Sequence, residues 1–116
     1  LNGKLMKAKN TTQTGWIFYR VGNLVYFTLA KNISGVVANH RYNNQGTVPS
    51  GYRPNILYYS NGMRTDRDVA NGVFFFVITT NGVAEIISTA THNEPQSYTV
   101  SGCYVTVDSF PTADKL

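Results

Sequence analysis

Turn signals punctuate this 116-residue chain so densely that β-hairpins are the elements that fit between them. Asn-Gly steps fall at Asn2-Gly3, Asn61-Gly62, Asn71-Gly72 and Asn81-Gly82, where glycine supplies the positive φ that tight turns need. Between these points lie runs rich in Val, Ile, Phe, Tyr and Thr, the residues that favour strands. No stretch keeps apolar residues at helical spacing for three turns. The pattern predicts strands at 15–21, 23–31, 34–39, 55–60, 73–80, 83–89 and 97–107. Gly22-Asn23 reads as a two-residue hairpin turn, and Asn81-Gly82 as a second hairpin. Pro49 and Pro54 bracket a segment that cannot be a central strand, so it reads as a structured connection.

The strands are apolar on both faces. Val73-Phe74-Phe75-Phe76-Val77-Ile78 shows this most clearly, and Ile17-Phe18-Tyr19 and Leu24-Val25-Tyr26-Phe27 repeat it. A sheet with one wet face should alternate apolar and polar residues. A second sheet is expected to cover one face, and another subunit the surplus. The expected fold is therefore all-β, an antiparallel, jelly-roll-like β-sandwich spanning 14–116. Residues 1–13 are expected to be a stalk end or a linker: Leu1, Leu5 and Ala8 sit at spacings of four and three. The chain opens on Leu1 rather than Met and is expected to be a segment of something longer.

Charged residues make up 14% of the chain, well under the usual quarter, and Asn, Thr, Ser and Gln take their place. Such a surface suits carbohydrate, and it equally suits an extracellular β-domain with no saccharide role. The formal net charge of +4 would favour an anionic partner. The basic residues are scattered, with no stripe or motif of a nucleic-acid domain, so none is expected. Cys103 is the single cysteine, which excludes an internal disulfide and argues against a cysteine zinc site. No apolar run approaches transmembrane length, and no membrane insertion is expected.

Three loops mix rings, amides and charges as saccharide sites do. The first carries His40, Arg41, Tyr42 and Asn43; the second Tyr59, Arg64, Asp66 and Arg67; the third His92, Asn93 and Glu94. Arginine can hold a phosphate bidentately, and amides donate and accept. Each group also reads as an ordinary solvated loop. Trp16 could stack on a sugar or sit in the core. Arg53, in Pro49-Ser50-Gly51-Tyr52-Arg53-Pro54, could contact a ligand or help fix a rigid corner. Catalysis has few candidates. Cys103 lies mid-strand, where a buried inert thiol is the default. No nucleophile elbow is visible. The carboxylates Asp66, Asp68, Glu85, Glu94, Asp108 and Asp114 offer no evident glycosidase pair. No enzyme activity, cofactor or metal is expected.

The chain also resembles a known family. Gly15-Trp16 opens a strand with Tyr19-Arg20, followed by Gly22-Asn23-Leu24-Val25. The Pro49–Pro54 corner comes next, then a hairpin ending in Asn81-Gly82-Val83. The final strand reads Tyr98-Thr99-Val100-Ser101-Gly102-Cys103-Tyr104-Val105-Thr106. Taken in order, from about Thr14 to Phe110, these resemble the C-terminal receptor-binding head of phage tail-fibre and baseplate proteins that act on Gram-positive hosts. The resemblance implies a homotrimeric head at the tail tip of a virion, outside the cell. It implies non-covalent binding to a host-surface glycan such as cell-wall polysaccharide or a teichoic-acid-like polymer. Attachment to other tail or baseplate proteins through the N-terminal side is implied too. The alternative is a structural trimerisation cap that binds only virion proteins. Trp16, Gly51, Tyr52, Arg53, Pro54 and Tyr104 are assigned to structure.

Overall fold

A computed structural model describes residues 5–33, 35–43, 45–64, 73–92 and 96–116. The strands are β1 (Lys7–Asn10), β2 (Trp16–Val21), β3 (Leu24–Ile33), β4 (Arg41–Tyr42), β5 (Tyr58–Arg64), β6 (Phe74–Ile78), β7 (Ala84–Ser88) and β8 (Gln96–Val105). They are hydrogen-bonded in the order β1-β2-β3-β8-β5-β6-β7-β4, every pair antiparallel. β5 joins the two halves. Its Tyr58–Gly62 stretch pairs with β6, while Met63 and Arg64 pair with β8. The half made of β1, β2, β3 and β8 packs on the half made of β5, β6, β7 and β4. The expected antiparallel sandwich is thus present.

Alternation decides what lies between the sheets. On β3, Val25, Phe27 and Leu29 point inward while Leu24, Tyr26 and Thr28 point out. On β6, Phe74, Phe76 and Ile78 are buried and Phe75 is exposed. Aromatic rings bridge the gap. Trp16 lies 5.6 Å from Phe76, Phe27 lies 6.0 Å from Phe76, and Phe74 meets Tyr98 edge-on at 4.6 Å. Such pairs add about 0.5–1.5 kcal/mol each beyond the area they bury. Gly102 on β8 makes room for Tyr58, whose hydroxyl stands where a Cβ would be.

Four expectations need correction. Lys7–Asn10, read as stalk or linker, is a strand: it pairs with β2 from Lys7↔Val21 to Asn10↔Phe18. Its alternation of Lys, Ala, Lys and Asn was too short and too polar to stand out, and the free edge of β2 decides its conformation. Where a strand is expected at 34–39, the described residues 35–39 form a bent segment with a single bridge, Val36↔His92. Asn39 there adopts a left-handed φ of 61°, which breaks an extended run. The strand at 55–60 is shifted to Tyr58–Arg64, because Pro54 and the turn after it delay pairing. Cys103 is exposed rather than buried, because alternation gives the inner face of β8 to Tyr98, Val100, Gly102 and Tyr104.

Candidate functional site

The predicted loop residues are only partly brought together. His40, Arg41 and Asn43 are exposed. Tyr42 packs against the core, and its hydroxyl accepts from the Val37 N–H (2.8 Å) and donates to the Gly35 carbonyl (3.3 Å). Its ring meets His40 at 4.8 Å. His92 is buried, and its backbone bridge to Val36 ties the third loop to the first. Arg41 lies 3.8 Å from Glu85 on the outer face of β7. Tyr59, 70% exposed, shares that face two strands away, opposite Val77. Arg64 ends β5 beside Tyr98. Asp66, Arg67, Asn93 and Glu94 lie outside the described residues.

A different surface is concave. A depression of about 460 Å³ opens on the outer side of β2, β3, β8 and β5. Ile17 supplies an apolar floor, the hydroxyls of Thr28, Thr99 and Ser101 surround it, and Asn61 adds an amide. A second hollow of about 520 Å³ adjoins it and shares Gly15 and Ala30. Gln13, Thr14, Asn32 and Gln45 line that hollow, and Lys31 donates to the Gln45 carbonyl at 3.3 Å. Among the described residues no carboxylate lines either hollow. Hydroxyls and amides both donate and accept, which matches the hydroxyls of a sugar. Of these residues Asn61 and Gln45 fall within the loops 58–68 and 39–46 expected from the sequence to form the site, and the others lie outside them. The available signal is Ser97, Thr99 and Ser101 at alternate positions of β8, with Thr28 and Asn32 on β3, which reads first as strand alternation.

The shifted titrations lie elsewhere, at a corner that closes the sandwich. Asp108 accepts from the backbone N–H groups of Gly51 (2.9 Å) and Arg53 (3.1 Å) and pairs with the Arg53 guanidinium through both oxygens. Burial alone would raise the Asp108 pKa, but the bonds from Arg53 and Gly51 outweigh it and hold the carboxyl below its ordinary range. Arg53 is held above its ordinary value by the same pairing. Burial pushes Tyr52 up, helped by its bond to Asp114 (3.1 Å), and burial does the same for Tyr104. The Tyr104 hydroxyl donates to the Tyr52 carbonyl. Arg20, 3% exposed, spends its guanidinium on the carbonyls of Gly22, Gly51, Asp108 and Ser109. Trp16 and Pro54 are buried. Gly51, at φ 99°, lies against Pro111 where a Cβ would collide. These groups satisfy one another, so their shifts describe an internal lock. Among the described residues no three metal-ligating side chains converge.

No protein-family model matches the chain, and no curated protein matches it.

Proposed function

We propose that the protein is a host-adhesion head that binds a cell-surface saccharide without catalysis. The observation that carries this reading is the groove on the outer face of β2, β3, β8 and β5. It has an apolar floor at Ile17 and a rim of hydroxyls and amides, and among the described residues no carboxylate lines it. The order of sequence motifs resembling phage receptor-binding heads supports the same reading and points to a virion tail tip, a homotrimer and Gram-positive cell walls. Weak sites repeated over many copies give adequate avidity.

Binding of the labelled protein to intact Gram-positive cells tests this, with soluble wall polysaccharide as competitor. Thr28→Val and Asn61→Ala each remove groove hydrogen bonds, at a cost of about 1 kcal/mol or roughly fivefold in affinity, with the melting temperature unchanged. Cell binding untouched by both substitutions would move the site to the loops of His40–Asn43 and Tyr59.

A second reading rests on the other outer face. Tyr59, Phe75 and Val73 are 70%, 45% and 45% exposed there, an apolar surface suited to another virion protein. In that case the head is a structural cap, and an intact oligomer will fail to bind cells or block adsorption.

A further inference from the structure

The groove continues into a flat aromatic surface. Cross-strand pairing sets Lys9, Tyr19, Tyr26 and Cys103 in one row across β1, β2, β3 and β8. The next row out is Lys7, Val21, Leu24 and Val105. On the other side the adjoining row is Ile17, Thr28 and Ser101, the floor and rim of the groove. Tyr19 and Tyr26 are 39% and 45% exposed, and Lys7 and Lys9 are exposed beside them. The Lys9 ammonium lies 5.4 Å from the centre of the Tyr19 ring. From the Leu24 row to the Ala30 row the strand advances about 20 Å, room for several sugar rings in line.

Among the described residues of these four strands, charge has one sign. β1, β2, β3 and β8 contain no Asp or Glu. Of their basic residues, Arg20 is occupied by backbone carbonyls and Lys31 donates to Gln45. Lys7 and Lys9 remain on the outer side. Tyrosine faces stack on the apolar C–H faces of sugar rings, and ammonium groups bind acidic substituents.

We propose that the saccharide site extends from the groove over Tyr19 and Tyr26, and that it takes a linear glycan bearing acidic groups. The polymer runs along β2 and β3. Its rings lie on the two tyrosines, its acidic groups face Lys7 and Lys9, and its hydroxyls enter the groove. This rests on the saccharide reading and narrows it. A single-stranded nucleic acid also uses stacking and cations, but two outward lysines offer little of the phosphate neutralisation that dominates such binding.

The test uses wall polysaccharide from a panel of Gram-positive bacteria, separated by anion exchange into acidic and neutral fractions. Calorimetry with the full chain should show binding of the acidic fraction, weakened about tenfold between low and moderate salt. Lys7→Gln with Lys9→Gln should lose about tenfold and most of the salt dependence, and the arginine pair should restore it. Tyr26→Ala should lose about tenfold at every salt concentration. Melting curves should show each variant folded. Equal binding of the neutral fraction, or lysine variants that bind as the parent does, overturns the proposal while leaving the saccharide reading intact. Binding of neither fraction overturns both. Tighter binding of oligodeoxyadenylate than of the acidic fraction assigns the face to nucleic acid and overturns the proposal.

Discussion

At the scale of single residues, Asp108 does the most with one side chain. It satisfies two backbone N–H groups and a guanidinium that hold the Gly51–Arg53 corner to the segment after β8. Its folded pKa is depressed, so the unfolded chain takes up the proton first as pH falls. The stability it contributes is complete above the ordinary carboxyl value of about 3.9 and is lost as pH drops through the folded value. Asp108→Asn should cost about 2–3 kcal/mol at neutral pH and give a flatter acid limb below about pH 4, measured by urea titrations across pH. In the sequence alone Arg53 fits both a ligand contact and a rigid corner, and Arg20 has no visible partner. Neither could be settled there, because Asp108 lies 55 residues beyond Arg53 and the carbonyls of Asp108 and Ser109 lie 88 and 89 beyond Arg20.

Elements were legible where local chemistry decides them. β2, β3 and the turn at Gly22-Asn23 were predicted almost to the residue, because the alternation of inward and outward positions is long and the turn is short. β1 and β4 escaped notice because they are held by a neighbour and have little strand signal of their own. The groove escaped for a related reason. It is assembled from β2, β3, β8 and the crossing strand β5, and no one of these strands carries by itself a motif that marks a binding surface. The close passage of β5 over β8 is itself testable. Gly102→Ala places a methyl group against the Tyr58 hydroxyl and should destabilise the fold by about 1–3 kcal/mol. Adding Tyr58→Phe should recover part of that loss in a double-mutant cycle by thermal melting, since the clash is with the hydroxyl. Additive losses would place the strain elsewhere.

Across the whole molecule, the longest pairing is that of β3 with β8, ten residue pairs in the middle of the strand order. Their amides should exchange with solvent most slowly, at rates set by global unfolding, while the isolated bridges at Val36 and Thr47 exchange through local opening. Hydrogen-exchange mass spectrometry reads this directly, and faster exchange in β3 than in β7 would contradict it. Among the described residues all eight strands form one hydrogen-bonded series that ends at β1 and β4, and the outer edge of β1 is itself bridged to the C-terminal residues, Ala8 to Lys115, with the Leu116 N–H donating to the Lys7 carbonyl. The two end strands are four and two residues long, and β1 carries Lys7 and Lys9. Short margins with lysines on them give a neighbouring chain little template to extend the sheet. At its two ends, therefore, the sheet resists extension into a fibril even where copies of the protein stand close together.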